Sequence, residues 1–474
     1  MQKSCPVHVV WFRNDLRIQD HQALDSAIKN CQAGELVQAL FIVDQAEEEW
    51  GYYQLGWLKR SLSALENSLH TLGVNLTVLY GDTFTTITHF AKTHQVQSMY
   101  WHRRYIPAQQ DLDRKIKEAL SQNTSCHSYP GYLCLEPWRI LNKSSQPFKV
   151  FTPYWKALQG NIQTDQFYLN KQPQKVQGNS SSTARANLEK IPDTWNDALI
   201  TRWQPGEEMA QEKLRLFIEK LVSGYATGRD RPDLAATSEL SPYLRFGEIC
   251  PHRIWADVCV NEVGTTTGAQ VYLSELAWRD FGYYVIHHFP YVINQAFKPA
   301  FDEMPWQQNT DHLKQWQQGQ TGYPLVDAGM RQLLQIGWMH NRIRMLVASF
   351  LTKHLLMDWR LGQAWFKEYL LDHDPASNLS GWQWSAGCGV DAQPYFRIFN
   401  PTRQAEKFDP QGDYIGKYVP ELKAVPAALR KEPWVDKGFM VANSIPYPQP
   451  MVDHKQARVR ALEALKSIRK VDDN

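Results

Sequence analysis

Residues 7–12 have the sequence VHVVWF, a run that is apolar except for His8 and has the length and composition of a buried β-strand. Three similar runs follow, LVQALFIV at 36–43, NLTVLY at 75–80 and VQSMYW at 96–101. Amphipathic stretches separate them, and the stretch 54–72 has the leucine spacing of one helix face, with Leu55, Leu58, Leu62, Leu65 and Leu69. Strands that alternate with helices predict a parallel, doubly wound sheet.

The alternation of strand-like and helix-like stretches ends after about residue 130. Residues 171–183 are polar and rich in Ser, Gln and Lys, which indicates an exposed connector. Beyond Pro205 helical periodicity takes over and strand-like alternation is scarce. We therefore expect an α/β domain over 1–130, an interdomain linker over 131–204 and an all-helical domain over 205–474.

Composition narrows the class of protein. Among 474 residues, 43% are hydrophobic and 21% are charged, as in ordinary globular proteins. No apolar run is long enough to cross a membrane, and the first residues lack the pattern of a secretory signal. A cytoplasmic location is therefore expected. The seven cysteines include no CxxC pair, so the sequence predicts reduced thiols and no zinc or iron–sulfur site.

The net charge and the nucleotide-binding motifs of the sequence indicate which classes of ligand the protein can bind. The net charge is only +2, so any contact with nucleic acid must come from a local basic patch. No GxGxxG follows the first strand, which argues against a nicotinamide dinucleotide fold. The basic amphipathic stretch 455–470 is predicted to be a solvated surface helix.

A first group of chemically active residues lies in YLSELAWR at 272–279. On a helix Glu275, Trp278 and Arg279 share one face, at i, i+3 and i+4. A carboxylate and a guanidinium are costly in an apolar core unless they are paired. The pattern fits a cavity for an aromatic ligand that forms hydrogen bonds, and it equally fits a salt-bridged core pair.

A second group lies in GWMHNRIRM at 337–345. If this stretch is one helix, Trp338, Asn341 and Met345 form a stripe at i, i+3 and i+7. Indole and thioether groups can pack on a flat ligand, while the amide supplies a donor and an acceptor. Plain core packing is the alternative. Arg342 points away from the stripe, where it could meet a phosphate.

A third group, DHDPASN at 372–378, places two carboxylates before a proline. Asp372 and Asp374 could hold the hydroxyl groups of a ribose. The alternative is a solvated loop without a binding role.

Together these motifs resemble the photolyase/cryptochrome superfamily, and in particular its bacterial cyclobutane-dimer photolyases. The resemblance extends over the whole chain and includes WFRNDLR at 11–17, TSELSPYL at 237–244 and the stretch 321–418. It implies an N-terminal α/β antenna domain and a C-terminal helical domain that binds FAD and DNA. The implied activity is light-driven splitting of cyclobutane pyrimidine dimers in DNA.

The resemblance also implies roles for single residues. FAD would be bent into a U in the helical domain, and Asn378 would face its N5 atom. The positions that match flavin contacts are Tyr225, Thr237, Ser238, Glu239, Leu240, Ser241, Tyr272, Arg279, Asp372, His373, Asp374 and Asn378. The positions that match the chain carrying electrons to the flavin are Trp306, Trp359 and Trp382.

Photolyases are among the enzymes that rotate their target out of the duplex. The positions that match contacts to the extruded dimer or the DNA backbone are Arg229, Glu275, Trp278, Arg279, Asn341, Arg342, Met345, Arg397 and Gln404. Among them Glu275 and Asn341 are expected to take part in catalysis, together with Asn378. The expected partner is damaged DNA, and we expect a monomer without metal or membrane contact.

The residues favour dimer repair over three alternatives: a cryptochrome-like blue-light receptor, a photolyase for the (6-4) lesion, and an electron-transfer flavoprotein without DNA contact. The combination MHNR at 339–342 with Met345 is the dimer-type pattern. Glu239 departs from the family, which often has a basic or small residue there. The stretch WHRRYIP at 101–107 differs from the best-known folate-binding pattern of the family and resembles the Arg-Arg-Tyr form found closer to the plant group. The expected second chromophore is 5,10-methenyltetrahydrofolate, with 8-hydroxy-5-deazaflavin or an empty site as alternatives.

Overall fold

The computed structural model describes residues 6–170, 172–176, 184–260, 262–392 and 397–472. The chain divides into two compact units. Unit 1 comprises Met1–Phe148, Thr152–Ser223 and Ser238–Pro290. Unit 2 comprises Lys149–Phe151, Gly224–Thr237 and Tyr291–Asn474.

Unit 1 contains a five-stranded parallel sheet in the order β3-β2-β1-β4-β5. The strands are β1 (Val7–Phe12), β2 (Leu36–Val43), β3 (Asn75–Tyr80), β4 (Val96–His102) and β5 (Ser125–Tyr129). The helices that alternate with them are α1 (Gln22–Asn30), α2 (Gln45–Glu48), α3 (Tyr52–Thr71), α4 (Thr83–Thr93) and α5 (Pro107–Leu120). The predicted doubly wound parallel sheet is confirmed.

The central strand β1 is buried along its whole length, as its apolar sequence requires. Its side chains Val9 and Trp11 join Met99 and Trp101 of β4 in one core cluster under α4 and α5. Strand β5 was not predicted, because SCHSY has no apolar run: this strand lies at the edge of the sheet and is only partly buried.

Eight further helices follow the sheet in the chain. They are α6 (Phe151–Asn161), α7 (Ala184–Leu188), α8 (Asp197–Arg202), α9 (Glu207–Lys220), α10 (Tyr225–Gly228), α11 (Ser241–Phe246), α12 (Pro251–Cys259) and α13 (Thr267–His288). In the predicted connector 171–183, residues 172–176 have no regular structure, and 171 and 177–183 lie outside the described residues.

The remaining helices belong to unit 2. They are α14 (Thr310–Gln317), α15 (Pro324–Ile336), α16 (Asn341–Ser349), α17 (Trp359–Tyr369), α18 (Pro375–Ala386), α19 (Pro401–Phe408), α20 (Asp413–Tyr418), α21 (Ala427–Arg430), α22 (Lys437–Ala442) and α23 (His454–Asp472). A π-helical segment, Phe350–His354, directly follows α16. Among the described residues beyond Pro205 there is no strand, which confirms the predicted helical character.

Helix α23 corrects the expectation of a solvated surface helix over 455–470. Ala464, Leu465 and Ile468 are buried in a cluster with Met304 and Leu356. Their spacing places them on one side of the helix, so its apolar face is part of the core of unit 2.

No described helix has the length and apolar character needed to cross a membrane. Every described cysteine is a free thiol.

Candidate active site

In unit 1 the loop 238–241 is fixed by the side chain of Tyr272. The Tyr272 hydroxyl donates to Ser238 Oγ at 3.1 Å, and the ring of Phe217 packs against the Tyr272 ring with centroids 4.4 Å apart. Leu240 is buried and caps α11, which begins at the exposed Ser241. The structure thus brings together the predicted flavin contacts of this loop and of α13.

Glu239 lies in the same loop and has a left-handed backbone, with φ of 53°. Its carboxylate accepts hydrogen bonds from Arg202 and, at 3.1 Å, from Lys213. Two cations therefore balance the unexpected acidic residue. These two pairings were not predicted, because Arg202 ends α8 and Lys213 lies on α9, far from Glu239 in the chain.

Glu275, Trp278 and Arg279 all lie on α13, as the spacing predicted. The Trp278 side chain is 36% exposed, which is high for an indole, while Glu275 and Arg279 are half-buried. Arg279 donates to the carbonyl oxygen of Tyr132 at 2.5 Å, and its guanidinium lies 5.3 Å from the centre of the Tyr132 ring. This face of α13 is an accessible polar surface with an aromatic centre.

The next residue, Asp280, fastens α13 to the segment after β5. Its carboxylate accepts from the backbone N–H groups of Cys134 at 2.7 Å and Leu135 at 3.2 Å. Burial raises the pKa of Asp280 to about 7, against the opposing effect of Arg279. Arg279 and Asp280 thus both bond to the same short segment, through Tyr132 on one side and Cys134 and Leu135 on the other.

In unit 2 the predicted stripe over 337–345 needs a correction. Helix α15 ends at Gly337, whose φ of 66° is left-handed, and α16 begins at Asn341 with His340 as its cap. Trp338 therefore lies between two helices and shares no helix face with Asn341. Asn341 is exposed and Met345 lies one turn later on α16, half-buried. Only these two members of the stripe share a face.

The stretch 372–378 is a buried helix start, which excludes the solvated-loop interpretation. Asp372, His373 and Asp374 are all buried. Asp374 caps α18 by accepting from the backbone N–H of Ser377 at 2.8 Å. Asp372 forms a two-pronged ion pair with Arg344 of α16, at 3.0 and 2.8 Å. No role for Arg344 was predicted from the sequence.

Helix α18 carries two predicted site residues on one face. The Asn378 amide donates to the carbonyl oxygen of Gln363 on α17 at 3.0 Å, which fixes the orientation of its carboxamide. One turn later the buried Trp382 packs edge-on against Phe366, with ring centroids 5.0 Å apart. Trp359 is buried at the first position of α17.

The three predicted electron-transfer tryptophans share an unusual feature. The indole N–H groups of Trp306, Trp359 and Trp382 are buried and have no hydrogen-bond partner among the described residues. Unpaired buried donors are rare in proteins and call for an explanation. Trp50 and Trp365 share the feature, so it does not by itself identify an electron-transfer residue.

The remaining predicted contacts are basic or polar side chains of unit 2. Arg342 pairs with Asp230, while the Arg397 side chain is exposed and its guanidinium lies 4.9 Å from the Phe399 ring centre. Three further predicted contact residues are half-buried. One of them is Arg229, whose guanidinium lies 5.7 Å from the ring centre of the buried Tyr225. The other two half-buried positions are Thr237 and, on α19, Gln404.

Unit 1 also contains a small pocket at the carboxyl ends of the strands, a common ligand position in parallel sheets. Its lining residues are Arg13, Asn14, Asp15, Arg17, His102, Arg104, Gly131 and Tyr132. Asp15 accepts from His102 at 2.7 Å and from His21 at 3.1 Å. Burial raises the pKa of Asp15, but these two hydrogen bonds outweigh it and hold the pKa well below its usual range.

Ion pairs fill most of this pocket. Asp113 pairs with Arg13 at 2.9 Å and with Arg104 at 2.7 Å. The remaining cavity has a volume of about 10 Å³, which is room for roughly one water molecule. Asp15, His21 and His102 lie close enough together to bind a metal ion, but the three arginines in the lining disfavour a cation.

Comparisons with known proteins agree with this arrangement. The family model described as "FAD binding domain of DNA photolyase" matches residues 272–467, and the model described as "DNA photolyase" matches residues 8–174. The chain belongs to the DNA photolyase family.

Particular relatives are similar over nearly the whole length. A deoxyribodipyrimidine photo-lyase of Agrobacterium fabrum is 39% identical, with 99% of each chain covered. The crystal structure of a class III photolyase from Agrobacterium tumefaciens superposes with a TM-score of 0.91 at 38% identity, again with 99% of each chain covered. A cryptochrome from Synechocystis sp. PCC6803 superposes with a TM-score of 0.85 at 28% identity, covering 98% of this chain and all of its own.

Proposed function

We propose that the protein uses light to repair cyclobutane pyrimidine dimers in DNA, with FAD as its cofactor. The observation that carries this proposal is the match over 99% of both chains to an enzyme named deoxyribodipyrimidine photo-lyase. The exposed Trp278, flanked on its helix face by Glu275 and Arg279, supports it from the structure.

Each unit by itself supplies groups that FAD would need. Arg202 and Lys213 together exceed the charge of Glu239 and leave a net positive charge at the loop that would hold the diphosphate. Asp372 and Asp374 supply acceptors for hydroxyl groups. In unit 1 the holding residues would be Ser238, Glu239, Leu240, Ser241, Tyr272 and Arg279. In unit 2 they would be Tyr225, Thr237, Asp372, His373, Asp374 and Asn378.

Bound, reduced FAD would on illumination supply an electron to the dimer and accept it back once the ring has split, so that the repair is redox-neutral. The residues of the chain position the partners of that transfer. Asn378, held by Gln363, would present a fixed carboxamide to the flavin ring. Trp382, Trp359 and Trp306 would carry electrons from the surface to restore the reduced flavin.

The lesion must leave the duplex to reach the flavin, and a dimer stacks poorly, which lowers the cost of extrusion. Trp278 and Met345 would form apolar walls around it, and Glu275 and Asn341 would hydrogen-bond the edges of the thymines. Contacts to the DNA backbone would come from Arg229, Arg342, Arg397 and Gln404. Phosphate contacts of this kind position DNA without selecting a sequence.

A second chromophore is part of the proposal for unit 1. The pocket at the strand ends has room for about one water, so a flat three-ring molecule would have to break the ion pairs of Asp113. The same volume excludes a folate from this pocket as it stands, and we keep 5,10-methenyltetrahydrofolate ahead of 8-hydroxy-5-deazaflavin without assigning it a position. Acid extraction of the purified protein followed by mass spectrometry distinguishes the two. The domain limits 1–130, 131–204 and 205–474, the monomeric state and the cytoplasmic location stay predictions.

The direct test is illumination of the reduced protein with DNA that carries either a cyclobutane dimer or a (6-4) lesion, against dark controls. We expect loss of the dimer only, and only in the light. Loss of the (6-4) lesion would reassign the substrate. Reversible flavin photochemistry without loss of either lesion would favour a blue-light receptor over an enzyme.

A further inference from the structure

Three contacts hold the Arg342 side chain in unit 2. Its guanidinium pairs with the carboxylate of Asp230 and lies 4.6 Å from the centre of the Phe408 ring. Its backbone N–H donates to Nδ1 of His340 at 3.2 Å, which fixes the first turn of α16. The guanidinium is therefore presented in one orientation at the start of a helix.

The pair is accessible to a ligand. The Asp230 side chain is 38% exposed and that of Arg342 is 20% exposed. Carboxylate and phosphate groups bind the planar guanidinium through the same donors. Asp230 thus occupies a donor that a phosphate of the DNA backbone would need, while Nε of Arg342 has no hydrogen-bond partner among the described residues.

We propose that Asp230 is a built-in competitor for DNA phosphate: it holds Arg342 ready in the free protein and releases it when the backbone of the duplex binds. This inference rests on the proposed function, because it needs Arg342 to contact DNA. A partly exposed ion pair contributes little to stability, so a phosphate can displace the carboxylate at low cost. Asp230 therefore lowers DNA affinity, which favours release of repaired DNA.

A neighbouring pair shows what a purely structural contact looks like here. Asp233 accepts from Nε of Arg231 at 2.7 Å, but its side chain is only 4% exposed. A phosphate has no access to such a carboxylate. The accessibility of Asp230 therefore distinguishes it from the acidic residue three positions later.

The test is a double-mutant cycle in the full-length, FAD-loaded protein. Dissociation constants are measured for dimer-containing and undamaged duplexes at several salt concentrations, in the wild type, Asp230→Asn, Arg342→Gln and the double variant. Glu406→Gln on α19 removes the same charge from an exposed carboxylate of unit 2 and controls for general electrostatics. Thermal unfolding and flavin absorbance verify that each variant is folded.

We expect Asp230→Asn to bind both duplexes about three- to tenfold more tightly, because phosphate contacts do not depend on sequence. The salt dependence should steepen by up to about one released counterion. The gain should vanish in the Arg342→Gln background. Weaker or unchanged binding by Asp230→Asn would overturn the proposal, and so would a gain that persists without Arg342 or that Glu406→Gln reproduces. Failure of the repair function would appear separately, as a wild type without light-driven dimer loss.

Discussion

The indole of Trp382 lies directly against the backbone of Gly362. A Cβ atom on Gly362 would come within 2.0 Å of Cη2 of Trp382, far inside any real contact distance. Helices α17 and α18 can approach each other here because one of them lacks a side chain. The contact places Trp382 against the helix that Trp359 begins.

Gly362→Ala should therefore displace Trp382. Overpacking of this kind costs about 1–3 kcal/mol of unfolding free energy. We also expect slower photoreduction of the flavin, because the indole loses its place in the proposed electron chain. Urea denaturation and photoreduction kinetics measure the two effects.

Gly381→Ala is the matched control, since it changes an exposed helical glycine beside Trp382 that has nothing within 4 Å of a new Cβ. Alanine favours the helix by up to about 1 kcal/mol, so this variant should be at least as stable as the wild type and photoreduce normally. Normal stability and photoreduction in Gly362→Ala would show that the contact has no functional consequence.

Trp382→Phe should block photoreduction but spare repair by flavin that has been reduced chemically. The reason is that the indole would relay electrons to the flavin without touching the lesion. Trp316→Phe changes the edge-on neighbour of Trp382, whose ring centroid lies 6.2 Å away, and should leave photoreduction intact. If Trp382→Phe abolished repair by the reduced enzyme as well, the relay role would be rejected.

Arg344→Ala should reduce both stability and FAD retention. It leaves the buried carboxylate of Asp372 without its two-pronged partner. The free energy of unfolding should fall by about 2–3 kcal/mol. This is less than for a fully buried pair, because Arg344 is partly exposed. Arg215→Ala, which breaks an exposed pair with Glu212 and Glu219, should reduce stability much less, because solvent screens such pairs. Equal effects of the two changes on unfolding and bound flavin would refute the assignment.

Glu248 should make a contribution to stability that is lost as pH rises through neutrality. This carboxyl is buried in unit 1, where Trp57 Nε1 donates to it at 3.2 Å. Burial raises its pKa to about 8. A carboxyl whose pKa is higher in the folded state stabilises that state fully below its unfolded pKa, and the contribution is lost as pH rises to the folded value.

Glu248→Gln removes this titration and retains the shape of the protonated acid. Between pH 6 and 8.5 the wild type should lose about 2 kcal/mol of unfolding free energy relative to the variant. Denaturant titrations at several pH values measure the difference. Parallel pH profiles for the two proteins would contradict the raised pKa.

The fold was predictable where burial leaves a periodic signal. The first four strands are apolar because helices cover both faces of a parallel sheet. Strand β5 could not be predicted from its sequence, because an edge strand is only partly buried and needs no apolar run. The stripe through Trp338 was wrong for a local reason: the left-handed Gly337 ends one helix before Asn341 begins the next.

The residue types of the candidate site could be predicted from the sequence. The ion pairs that these residues form with distant parts of the chain could not. Helical spacing was enough to place Glu275, Trp278 and Arg279 on one face. The cations that balance Glu239 come from α8 and α9, and no local pattern connects such distant positions. The pairing of Asp230 with Arg342 has the same long-range character.

The most direct test of the account is the flavin content of the purified protein. An equimolar amount of FAD, released on denaturation and identified by its absorption spectrum, is the predicted result. A colourless protein that also fails to take up added FAD would contradict it, since every step proposed above then lacks its electron donor.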